Sequence, residues 1–198
     1  MKYHIRQYEL HQGALEIEYI EEYFGEFSRK KTASEVMHRL SNRDHQILMA
    51  EAPLPDDPSA VVPVSYKVSH ELRIDESDAK LADLVCRLRD TVQFRDRRIL
   101  YSWIGGTRRD WRGQGFFRSL TDKQELWATE NGFDEIIVKT KNRLYDMRGT
   151  LDTLKFDVIK FERHPGDNSE SKVYLSKKLG LEVPRNRRND RYLLGVHD

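Results

Sequence analysis

At 198 residues, the chain is long enough for one domain with a substantial core. Its formal net charge of +1 excludes general electrostatic attraction to nucleic acid as an organising property. The single cysteine, Cys86, excludes an internal disulfide and a cysteine-rich metal site and fits a reducing, cytoplasmic compartment. The seven histidines are scattered with no pair at i, i+4, so no metal site is expected. No apolar run approaches the ~18–20 residues of a membrane helix. Met1–Arg6 also lacks the apolar core of a signal peptide.

In chain order, Tyr3–Tyr8 reads as a first strand. Ala14–Phe27 reads as an amphipathic helix carrying Leu15, Tyr19, Tyr23 and Phe27 on one face. Thr32-Ala33-Ser34-Glu35 is a capping box that starts a second helix through about Leu40. Gln46–Ala50 and Val61–Val68 are strands separated by the breaker-rich Pro53–Ser59, with Pro63 hinting at an edge or local irregularity. Ser77–Arg97 carries a helical pattern, in which Cys86 is expected to be a buried structural thiol beside Leu81, Leu84, Val85 and Leu88. Its mixed charges, Arg87 to Arg98, line either an acceptor-facing surface or a solvated helix face.

Ile99–Ile104 is an apolar run, followed by Arg112-Gly113-Gln114-Gly115-Phe116-Phe117 and a helical stripe of Phe117, Leu120, Gln124, Trp127 and Ala128. A strand, a glycine turn and a helix start make an anion site, because the first N–H groups of a helix have no intrahelical partners and sit at the positive end of its dipole. Glycines allow close backbone approach to a phosphate. An ordinary βα loop is the alternative reading. Neither a Walker loop nor a dinucleotide fingerprint matches, since position 118 is Arg118 rather than glycine. Asn131-Gly132 closes the helix, Asp134–Thr140 is a strand, and Arg143–Leu154 a further helix. Asp157–His164 and Ser171–Leu179 form a hairpin. The segment after Gly180, with its four arginines, reads as a tail.

Residues 112–117 resemble the R/Q-x-x-G-x-G/A pyrophosphate loop of the GNAT acetyltransferase superfamily, with Arg112 and Gly115 on the first and fourth positions. Phe117 stands where that family usually has Gly or Ala, so its side chain is expected to turn away from the phosphates into helix–sheet packing. The resemblance covers roughly residues 99–179: Tyr101–Thr107 looks like the central strand, and the helix with Gln124, the strand Ile136–Thr140, Asn142, Met147 and the closing strands follow in order.

The resemblance implies an α/β fold, a single domain over 1–179 with a tail at 180–198. It has a strongly twisted mixed central sheet of about six or seven strands and helices on both faces. It also implies acetyl-CoA as co-substrate and direct transfer, in a ternary complex, to a primary amine. That amine is a small polyamine, an amino sugar, an amino acid or a protein terminus. Ile104, Gly105, Gly106 and Thr107 would bond the pantetheine arm, and Arg112, Gly113, Gln114, Gly115, Phe116 and Phe117 the pyrophosphate. Asn142 would bond the pantetheine region. The family's usual acid, a Tyr five residues before the Phe that opens the next strand, falls on Leu151. Tyr145, three residues after Asn142, is the substitute acid and a cofactor-binding candidate, with a packing tyrosine as the alternative. Glu71 is the candidate base, with an exposed hairpin residue as the alternative. A non-catalytic acyl-CoA sensor is the competing function. Nucleic-acid contact by the tail is the third. No membrane partner is implied, and a homodimer is left open.

Overall fold

A computed structural model of the chain describes residues 3–23 and 29–180. Seven strands form one mixed sheet in the order β1-β2-β3-β4-β5-β7-β6: β1 (His4–Gln7), β2 (His45–Pro53), β3 (Val61–Leu72), β4 (Ile99–Thr107), β5 (Glu135–Lys141), β6 (Asp157–Glu162) and β7 (Lys172–Lys178). The helices are α1 (Leu10–Glu21), α2 (Ala33–Leu40), α3 (Ala79–Leu88), α4 (Phe116–Glu130) and α5 (Tyr145–Thr153). The chain divides into two compact units, Met1–His70 with Trp103–Gln124, and Glu71–Ser102 with Glu125–Asp198.

In the first unit, alternation along β2 sends side chains to two cores. Ile47 and Met49 join Ala14, Ile17 and Ile20 of α1, Val36 and Leu40 of α2, and Tyr66 and Val68 of β3. Leu48 and Ala50 instead join Val64, Trp111, Phe116 and Leu120. Helices therefore cover both faces. The capping box starting α2 forms, with Glu35 N donating to Thr32 and Thr32 N donating to Glu35.

On α1 the outcome differs from the sequence reading. The helix begins at Leu10 and buries Gly13, Ala14, Ile17, Ile20 and Glu21, while Leu15, Tyr19 and Tyr23 are exposed. Two stripes of suitable spacing compete on this helix, and the one with small residues allows the closer approach to the sheet. Phe27 lies outside the described residues.

In the second unit, β4 and β5 pair in parallel from Ile99–Glu135 to Ser102–Val138, and β5, β7 and β6 pair antiparallel in turn. Asp78 caps α3 through Lys80 N and Leu81 N, and the helix ends at Leu88, well before Arg97. Cys86 is exposed, a correction to its expected burial. The apolar stripe is Leu81, Leu84, Val85 and Leu88, and Cys86, five residues after Leu81, is rotated off it. Trp127 packs with Phe133 at 5.6 Å between centroids, and Phe133 N bonds back to Ala128 O. The arginine-bearing segment 181–198 lies outside the described residues.

Candidate functional site

The end of β4 and the start of α4 belong to the first unit. The first four residues of β4 are buried, whereas Trp103–Thr107 are half-buried or exposed. Trp103 and Ile104 both pack against the α1–α2 core. Gly105 lies tight against β3: a Cβ on it would meet Tyr66 O at 2.9 Å, so no larger residue fits without a shift. Ser65 Oγ donates to Gly106 O at 3.0 Å and lies 2.7 Å from Thr107 Oγ1, and Arg108 N donates to Val64 O at 2.9 Å.

After β4, a 3-10 turn at Arg109–Trp111 buries Trp111. The exposed Arg112 folds back, its Nε donating to Thr107 O at 3.1 Å. Gly113 (φ +77°) and Gly115 (φ +82°) adopt the left-handed backbone that disfavours side chains. A Cβ on either would meet nothing within 4 Å. Open space and backbone conformation, rather than crowding, make the glycines necessary.

Gly115 O accepts from Ser119 N at 3.1 Å, so α4 starts on a residue with no capping side chain. The N–H groups of Phe116, Phe117 and Arg118 thus precede the first intrahelical donor. At α2 and α3 the same positions are served by Thr32 and Asp78. Gly115, at the corresponding place before α4, has no side chain to serve them.

Phe116 is the buried phenylalanine, edge-on to Tyr3 at 4.8 Å. Phe117 is half-buried, and Lys67 Nζ lies over its ring at 4.5 Å. Lys67 is 3 % exposed, and burial pulls its amine from 10.5 down to about 7. The sequence reading missed it. A lysine inside the run Val64–Val68 was the available signal.

In the second unit, Asn142 opens the turn between β5 and α5, and its side chain is engaged on both sides. Nδ2 donates to Asn168 O at 3.1 Å, while Arg148 Nη1 donates to Oδ1 and, at 2.8 Å, to Asn142 O. The Arg148 guanidinium is buried, which pulls its pKa down. Tyr145 is 55 % exposed, its ring 5.6 Å from that guanidinium. Leu151 is fully buried. Glu71 is half-buried, not an exposed hairpin residue, and accepts from Arg73 Nε at 2.8 Å and Arg98 Nε at 3.3 Å. Among the described residues no group of three His, Cys, Asp or Glu could hold a metal ion, and no helix is long and apolar enough to cross a membrane.

No family model and no curated protein sequence matches the chain. Solved structures do. Arabidopsis thaliana NAA60, determined with acetyl-CoA, superposes with a TM-score of 0.66 at 8% identity, over 91% of this chain and 100% of that one. The ribosomal-protein-S18-alanine N-acetyltransferase of Escherichia coli gives 0.63 at 10%, over 92% and 97%. A Desulfovibrio desulfuricans protein assigned to the GNAT acetyltransferases gives 0.61 at 12%, over 89% and 99%. The chain has the GNAT fold. At such identities the shared property is the GNAT fold itself, and the chemistry has to be argued from this chain's own residues.

Proposed function

We propose that the chain is an acetyl-CoA-dependent N-acetyltransferase acting on a primary amine by direct transfer. The observation that carries this reading is the glycine-started α4 directly after the half-exposed end of β4. Its first-turn N–H groups suit a pyrophosphate, and Arg112, tied to Thr107 O, adds a charge beside it. The backbone of Ile104–Thr107 offers bonding groups for an extended pantetheine arm and for polarising a thioester carbonyl. Bound acetyl-CoA supplies the activated acyl group. The acceptor nitrogen forms the new N–C bond, the C–S bond breaks, and the proton lost by the amine balances the thiolate that leaves.

Acetyl-CoA bound to the neighbouring fold of NAA60 supports this choice of donor. A cytoplasmic location fits the single cysteine. The acceptor is a small-molecule or protein amine. A donor-binding sensor is the second reading, favoured by Leu151 being fully buried and by the two guanidiniums on Glu71, which leave neither the expected acid nor a disengaged base at those positions. Thiol release measured over a panel of amines separates the two: turnover with any amine supports the enzyme, and binding without turnover supports the sensor.

Gly115→Glu is expected to weaken acetyl-CoA binding at least tenfold, about 1.4 kcal/mol, by setting a carboxylate where the pyrophosphate belongs. Gly115→Ala shares the backbone strain at φ +82° without the charge and is expected to lose less. Isothermal titration checks both. A folded Glu variant that binds as tightly as the parent would show that the pyrophosphate does not sit on this loop.

A further inference from the structure

Lys67 carries its amine into the packed layer beneath α4. It stands opposite Leu48 of β2, which packs with Trp111, Phe116 and Leu120, and residues directly opposite in a sheet share a face. Lys67 Cγ lies 3.6 Å from the position a Cβ on Gly105 would take. Its Nζ ends 4.5 Å from the centroid of the Phe117 ring, and Phe117 belongs to the first turn of α4. One side chain thus touches both the end of β4 and the start of α4, the two segments assigned above to the coenzyme.

The amine is held there without a counter-ion. Ser65 and Ser69 flank it on its own face of β3. Leu48 faces it from β2, Gly105 from β4 and Phe117 from α4, and none of these carries a charge. Among the described residues no hydrogen bond or ion pair engages Nζ, and burial alone pulls its pKa to about 7. A ring face offsets little of the cost of desolvating an ammonium. An amine kept at such a cost to stability marks a functional position.

We propose that Lys67 is a coenzyme-binding residue whose ammonium pairs with the pyrophosphate of acetyl-CoA, so that binding is coupled to uptake of a proton by this amine. The proton comes from the buffer, and the N–H bond is the only covalent bond formed. The first turn of α4 presents backbone N–H groups to the same anion, and Lys67 adds the mobile charge that they lack. The role rests on the acetyltransferase reading above.

The sign of the pH dependence follows. An anion beside the amine raises its pKa toward the ordinary lysine value. Binding is therefore strongest below pH 7 and weakens as the free amine loses its charge. With the free amine titrating at about 7, the loss from pH 7 to pH 8.5 is roughly tenfold.

Isothermal titration with acetyl-CoA at pH 8.5, in two buffers of different ionisation enthalpy, reads the proton directly. The parent is expected to take up roughly one proton per coenzyme. Acetyl-dephospho-CoA, which keeps the pyrophosphate and lacks the 3′-phosphate, should give the same uptake. Both the uptake and the pH dependence should vanish in Lys67→Met, with affinity at pH 7 about tenfold or more below parental. Loss of uptake with the dephospho compound would exclude the pyrophosphate as the partner. Acetyl-CoA binding to the parent without proton uptake, or undiminished uptake in Lys67→Met, would overturn the role of Lys67 and leave the acetyltransferase reading standing. Failure of acetyl-CoA to bind the parent at all would overturn that reading, and this proposal with it.

Discussion

Replacing Lys67 with methionine is expected to raise folding stability at pH 7 by roughly 2–4 kcal/mol, a large effect for one substitution. The amine is 3 % exposed, and burial lowers its pKa from 10.5 to about 7, a shift equivalent to roughly 4–5 kcal/mol at most. In the unfolded chain the same amine titrates near its ordinary value. Between about pH 7 and pH 10.5 the unfolded state therefore binds more protons, and stability rises with pH. Below pH 7 both states are protonated and the whole penalty applies; by about pH 10.5 it is gone.

Methionine keeps the apolar stem and removes the charge. Denaturant unfolding of both proteins from pH 6 to pH 10.5 should show the advantage of the variant shrinking steadily above pH 7. Any packing difference adds a constant, so the slope is the diagnostic quantity. A gap independent of pH would show that Lys67 is not held against its charged state.

Tyr145→Phe is expected to lower turnover about 10²-fold, the usual loss for a general acid, while acetyl-CoA affinity stays close to parental. The reason for choosing this residue is that Leu151 carries no hydroxyl and is fully buried, whereas Tyr145 is 55 % exposed and its ring rests near Arg148. Arg148 in turn bonds Asn142, so the start of α5 is fixed rather than loose. Steady-state kinetics alongside direct binding measurement separates the two effects. Parental turnover in the Phe variant would reduce Tyr145 to packing and leave water to protonate the thiolate.

Much of this was legible from local chemistry. Thr32 and Glu35 declare the start of α2 because a capping box is satisfied within four residues. The turn at 112–115 is legible for the same reason, since a strand, two glycines and a helix start stand side by side in the sequence, and Gly113 and Gly115 adopt the left-handed backbone such a turn uses. What escaped depends on what lies opposite. Tyr19 and Tyr23 share a helical stripe with Leu15, but only the packing of α1 on the sheet decides that Ala14, Ile17 and Ile20 are buried instead. Cys86 was assigned to a buried face that its neighbours fill without it. Lys67 looks like an ordinary strand lysine until Phe117 covers it. The contacts of Lys31 and of Arg39 with Trp103 join positions far apart in sequence, which no periodicity reveals. Glu71 reads from sequence as a candidate base or an exposed hairpin residue, and its engagement by Arg98 is a long-range contact of the same kind.

Thermal unfolding with and without acetyl-CoA tests the central claim most directly. Ligand at one hundred times its dissociation constant stabilises the native state by about 2.7 kcal/mol, a rise of roughly 5–10 °C for a chain of this size. Pyrophosphate binding at the start of α4 should give such a rise with millimolar acetyl-CoA, strongly reduced in Gly115→Glu. A melting temperature unmoved by millimolar acetyl-CoA would contradict it.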